Sequence, residues 1–197
     1  MIETLTRPEE ETYPPVKRWT VEECETLEQS GLLPERYELI YGVIYLKMPV
    51  NPPHRIALRY LFEWLVAVFG LQYVLKEDPI VLSGEGGRTI QPQPDAAVTF
   101  QPTTTYTASN PGPSDLRLIA EVSDSTLDFD LDTKALLYAR VGIPEYLVLD
   151  VTGRQIHRHR LPAPSGYGEI VVLMENDHLT ILDRTETIRV GDLFPAA

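Results

Sequence analysis

From Leu116 to Asp150 the chain reads LRLIAEVSDSTLDFDLDTKALLYARVGIPEYLVLD, and its hydrophobic period changes twice. Few architectures accept such a stretch. Leu116, Leu118, Ala120 and Val122 alternate with Arg117, Ile119, Glu121 and Ser123, the period of a strand with two distinct faces. Asp128 to Val141 carries apolar residues at Leu131, Ala135, Tyr138 and Val141, close to helical spacing, and Gly142 and Pro144 supply the stop. Tyr146 to Val151 is nearly all apolar, as expected of a strand buried on both faces and parallel to the first. Strand, crossover helix and strand together bring the carboxyl ends of the strands to the start of the helix, the edge where α/β proteins place their sites. Glu121 and Lys134, both costly to bury without a purpose, head toward that edge.

With 197 residues, 43% of them hydrophobic, the chain can bury one substantial core, and no shift of composition divides it. The expectation is a single domain over 19–197 behind a flexible arm over 1–18, which is rich in Pro and Glu. No apolar run is long enough to span a bilayer and the first residues do not read as a secretory signal, so a cytoplasmic protein without membrane contact is expected. The single Cys24 excludes an internal disulfide and a multi-cysteine zinc site. A net charge of −12 is awkward for a nucleic-acid binder. Any groove for DNA must then come from a local basic patch, and the dense candidate is Arg154, His157, Arg158, His159 and Arg160.

Thr20 and Glu23 have capping-box spacing for a helix from Val21 to about Gln29. RYELIYGVIYLKM reads as a hairpin about Tyr41-Gly42, with Glu38 in its first strand. Asn51-Pro52-Pro53 opens a helix to Phe69, with His54, Leu58, Leu61, Leu65 and Val68 on one face. Residues 72–83 and 89–100 suggest strands joined by the Gly84–Gly87 turn; Pro92 and Pro94 make Asp95 the first residue of the regular part. Residues 101–115 read as a surface loop, and a meander of strands follows Asp150. His157 and His159, two apart on one strand face, are a weak candidate metal pair set against a solvated basic strand.

Asp95 and Glu121 each stand near a strand end, and paired carboxylates there suit a hard cation such as Mg²⁺ or Mn²⁺. Lys134 has a place beside them, orienting or deprotonating a water or offsetting charge on a phosphate, and Asp130, four residues earlier, would hold its ammonium. Taken singly, an exposed strand-end Asp and a surface Lys–Asp helix pair remain the simpler readings.

The order of YELIxG, a helix near Pro-His, Pro-Asp at a strand start, EVSxST, D-x-x-x-K on a helix and Y-x-x-x-GIPEY resembles a bacterial family of restriction-endonuclease-like proteins in the PD-(D/E)XK nuclease superfamily. The match runs over roughly residues 36–150. The resemblance implies an α/β fold, a restriction-endonuclease-like mixed central sheet flanked by helices, here with additional C-terminal β-strands. By the same resemblance Asp95 and Glu121 are the metal-binding acids. Ser123 stands where the superfamily places its lysine, and Lys134, on the following helix, takes that role. Glu38 and His54 match polar positions near the site, as a third carboxylate and a phosphate or water contact. The expected function is Mg²⁺- or Mn²⁺-dependent endonucleolytic hydrolysis of DNA, with a homodimer expected by analogy. The alternative is a nuclease-fold DNA-binding or assembly protein that does not cleave, and a metal-free two-carboxylate hydrolase is weaker because it leaves Lys134 without a role.

Overall fold

The computed structural model describes residues 16–34, 36–47, 49–82 and 88–196. Most of the expected arm and the Gly84–Gly87 turn lie outside these residues. The chain divides into two compact units, Met1–Pro49 with Pro79–Gln93, and Val50–Asp78 with Pro94–Ala197.

In the first unit, helix α1 (Val21–Gln29) begins with the expected capping box: the Glu23 amide donates to Thr20 Oγ1 at 3.3 Å and the Thr20 amide to Glu23 Oε2 at 3.0 Å. Strands β1 (Tyr37–Ile40) and β2 (Val43–Leu46) pair antiparallel about Tyr41 and Gly42, with φ of 51° and 73°. Both turn residues are left-handed, as a tight two-residue hairpin requires. Gly42 is also obligatory in space, since a Cβ there would come within 2.7 Å of Arg18 Cβ. Val21, Cys24 and Leu39 form a small core. Burial, then Glu23 and Glu25, push the Cys24 thiol up, so it carries no reactive thiolate.

The expected long strands over 72–83 and 89–100 are corrected. Among the described residues of these stretches, β3 (Val74–Lys76) and β4 (Ala96–Thr99), both in the second unit, are the regular strands. Pro79, Pro92 and Pro94 interrupt the ladder by removing donors. Residues 79–82 and 88–93 are instead joined in the first unit by isolated bonds, Leu82 amide to Ile90 carbonyl at 3.1 Å and Gln91 amide to Leu39 carbonyl at 2.6 Å.

The second unit is built on a six-stranded mixed sheet, ordered β3-β4-β5-β6-β7-β8. Here β5 is Leu116–Ser123, β6 Glu145–Asp150, β7 Gln155–Ala163 and β8 Gly166–Leu173. Strand β5 runs antiparallel to β4 and parallel to β6, as the crossover between β5 and β6 demands. Helix α2 (Pro52–Phe69) lays Ala57, Leu58, Leu61 and Leu65 on Ala96, Val98, Leu118, Ala120, Val122, Leu147, Leu149 and Ile156. Each buried leucine contributes roughly 1.5–3 kcal/mol. The other sheet face meets a π-helical turn (Phe129–Lys134) that continues into α3 (Ala135–Arg140). A π turn has no period of its own to be read from sequence. Of the expected inward stripe, Ala135 and Tyr138 are buried, Leu131 and Val141 are partly exposed, and Asp130 and Lys134 are buried with them. The last strands, β9 (His178–Thr180) and β10 (Thr187–Arg189), form a separate antiparallel pair. Among the described residues no helix is long and apolar enough to cross a membrane.

Candidate active site

Alternation along β5 sorts its side chains. Ala120 and Val122 enter the core under α2, which sends Glu121 to the opposite face. There Lys134 Nζ donates to Glu121 Oε1 at 2.9 Å, and the Tyr138 hydroxyl donates to the same oxygen at 3.1 Å. Lys134 and Tyr138 are four residues apart across the junction of the π turn and α3, so one helix face presents both to the strand. Asp130 Oδ1 lies 3.5 Å from Lys134 Nζ, the partner expected of it, and its other oxygen accepts from Thr126 Oγ1 at 2.9 Å.

Asp95 is held by the same strand. Its Oδ2 accepts from the Val122 amide at 2.8 Å, one residue beyond Glu121, and β4 pairs Ala96 with Ala120 beside it. His54, in the first turn of α2, brings Nε2 to 3.6 Å from that oxygen. The His54 Nε2 is buried without a hydrogen-bond partner among the described residues. The first turn of α2 is itself anchored: Asn51 Oδ1 caps the His54 amide at 3.0 Å, and Asn51 Nδ2 donates to Asp124. Thr152 Oγ1 reaches the other oxygen of Asp124 at 3.2 Å, so one aspartate after β5 ties the start of α2 to the turn after β6.

The structure therefore brings Glu121 to Lys134 and His54 to Asp95. Glu38 is described within the first unit, buried, with Oε1 accepting from the Gln93 amide at 2.9 Å. Tyr138, Asp124 and Asn51 are supports that sequence reasoning missed as site residues. For Tyr138 the signal was its place in Y-x-x-x-GIPEY, whereas nothing local distinguishes Asp124 from a turn residue.

Asp95, Glu121, Asp130 and Lys134 are all buried. Carboxylate oxygens of this kind are donors that fit a hard divalent cation. Among the described residues no three His, Cys, Asp or Glu side chains form a complete metal cage. A magnesium ion held here would thus take its remaining ligands from water and phosphate, as that ion commonly does.

On the basic strand the three arginines are engaged in ion pairs. Arg154 is paired with Glu175 and the Pro195 carbonyl, Arg158 with Glu169 at 3.3 Å, and Arg160 with Glu145 at 2.7 Å. Each guanidinium serves an internal acid. His159 is buried, its ring 5.4 Å from that of Tyr146 and 5.5 Å from that of Tyr167. Burial pushes the proton affinities of His157 and His159 down. The two do not belong to any metal-binding cluster among the described residues.

Among curated proteins none matches the chain in sequence. A crystal structure from Anabaena variabilis ATCC 29413, titled as "a putative nuclease belonging to DUF820", is similar in fold, with a TM-score of 0.62 at 15% identity. The likeness covers 85% of this chain and 96% of that one. The mixed sheet flanked by helices, with its extra strands, is a nuclease-like fold. Residues 21–194 match the model of the Uma2 family, described as "Putative restriction endonuclease", and the chain belongs to that family.

Proposed function

We propose that this protein is a metal-dependent endonuclease that hydrolyses DNA phosphodiester bonds, with residues 19–197 acting as one restriction-endonuclease-like domain in the cytoplasm. The observation that carries the reading is the Lys134 ammonium, buried and 2.9 Å from Glu121 at the end of β5. A buried ion pair contributes little to stability once desolvation is counted, so its presence at a strand end calls for a use.

Asp95 and Glu121 would hold Mg²⁺ or Mn²⁺, which when bound lowers the pKa of a water and stabilises charge on phosphate. Lys134 orients the attacking water and offsets the negative charge that builds on the phosphate oxygens. Tyr138 fixes Glu121, and Asp130 keeps the lysine from turning away. His54 offers the phosphate or the water a nitrogen that has no hydrogen bond among the described residues. Water adds to phosphorus, the bond to one ester oxygen breaks, and that oxygen leaves with a proton. Glu38 stays a candidate carboxylate on the strength of the resemblance. A homodimer is the assembly that cutting both strands implies.

The test is cleavage of varied DNA substrates by the purified chain with Mg²⁺ or Mn²⁺. Lys134→Met should lower kcat at least about 100-fold while most DNA affinity remains, because a group acting on the transition state adds little to ground-state binding. Undiminished cleavage by Lys134→Met protein would sink the mechanism. The net charge of −12 and the internally paired arginines favour one second reading, a nuclease-fold binding or assembly protein that does not cleave. Binding without cleavage across substrates and both metals would establish it.

A further inference from the structure

The π turn that carries Lys134 is held from outside the helix. In an α-helix the carbonyl of residue 130 would accept from the amide of residue 134. Here it accepts from the Ala135 amide, five residues on, and from the Tyr146 hydroxyl at 3.0 Å. Tyr146 comes from β6, where it pairs with Ile119, is fully buried, and sets its ring edge-on to that of Tyr138 with centroids 4.9 Å apart. A rigid strand thus delivers a hydroxyl to a carbonyl that takes part in the wide turn. Wide turns of this kind are rare and favour functional sites.

We propose that Tyr146 is a positioning residue for Lys134: its hydroxyl, by holding the Asp130 carbonyl, maintains the π turn that keeps the lysine between Asp130 and Glu121. The proposal rests on Lys134 being the catalytic lysine. Closing the turn to α geometry would rotate the residues before it against those after it by about 100°, one residue's step of an α-helix. Lys134, at the end of the turn, would then meet Glu121 from a different angle. Tyr146→Phe keeps the ring packing and removes the hydroxyl that forms the lock.

The experiment measures reductive methylation of Lys134 in the full chain by peptide mass spectrometry. Tyr167→Phe is the matched control, because the Tyr167 hydroxyl also donates to a backbone carbonyl, that of Ile143 at 3.0 Å, away from the π turn. Tyr146→Phe should methylate Lys134 roughly three- to tenfold faster than wild type, the population change expected from losing one such bond. Tyr167→Phe should leave that rate unchanged. An unchanged rate in Tyr146→Phe, or an equal rise in both variants, overturns the proposal. In an active preparation Tyr146→Phe should lower kcat with KM unchanged, and a change confined to KM also counts against it. Labelling needs no turnover, so a wild-type chain that never cleaves would sink the nuclease reading while the methylation rates still decide this one.

Discussion

Lys134, Glu121 and Asp130 show why a buried ion pair should not be counted as a stabilising one. Their side chains are 3–4% exposed, so each has surrendered nearly all of its hydration. Removing one partner strands the other. Lys134→Met alone should therefore destabilise the protein by about 3–5 kcal/mol, while Lys134→Met combined with Glu121→Leu should recover part of that loss, Asp130 still being stranded. Urea unfolding of the two single variants and the double variant measures the coupling, and simple additivity would show that the side chains do not depend on each other. Alternation along β5 placed Glu121 from sequence alone, because a strand has only two faces. Tyr138 and Tyr146 were legible as apolar positions and as parts of a motif, but not by their roles, because the partners of their hydroxyls come from other elements.

At the scale of elements, the first turn of α2 decides where His54 points. Asn51 caps that turn through the His54 amide and joins it to Asp124, which Thr152 holds from the far side. Asn51→Ala should cost about 1 kcal/mol of stability through the cap alone. It should also free the His54 imidazole, seen as a shift of its ring NMR signals, whereas Arg55→Ala, on the exposed side of the same turn, should leave them in place. Capping boxes, the hairpin turn and the ends of α2 were readable because they depend on residues within a few positions of one another. The two long strands expected around Gly84–Gly87 were misread. Alternation persists there, but three prolines remove donors that a ladder needs, and the intervening segment is held in the other unit.

Across the whole molecule, the surplus of acid makes each arginine a structural resource. Glu145, fully buried, takes Arg160 at 2.8 Å and the Leu182 amide at 2.7 Å, fastening the chain beyond β9 to β6. Burial, only partly offset by Leu182 and Arg160, holds its carboxyl above the usual range. A raised folded-state pKa means that the folded protein binds this proton more tightly than the unfolded chain does. The carboxyl therefore favours folding below its unfolded pKa and loses that contribution as pH rises through the raised value. Arg160→Ala should destabilise the protein by about 3–5 kcal/mol near neutral pH, where it strands a buried carboxylate. The deficit relative to wild type should shrink as pH is lowered from 7.5 to 5, which urea midpoints at several pH values will show; a constant deficit would mean that Glu145 does not titrate in that window.

What the sequence determined by itself was local: the period of β5, the stops at Gly142 and Pro144, the caps of α1 and α2, and the acids and lysine worth watching. These depend on residues near one another in the chain, so spacing carries the information. Tertiary structure alone decided which basic residues were available and how Lys134 is aimed. Arg154, Arg158 and Arg160 read as a patch because they are close in sequence, yet each is paired with an acid from another part of the chain. The π turn is likewise invisible in spacing, since the Tyr146 hydroxyl that meets its Asp130 carbonyl comes from a strand sixteen residues away. Partners chosen across the fold leave no periodic trace, and electrostatics depends on those partners more than on the order of the residues.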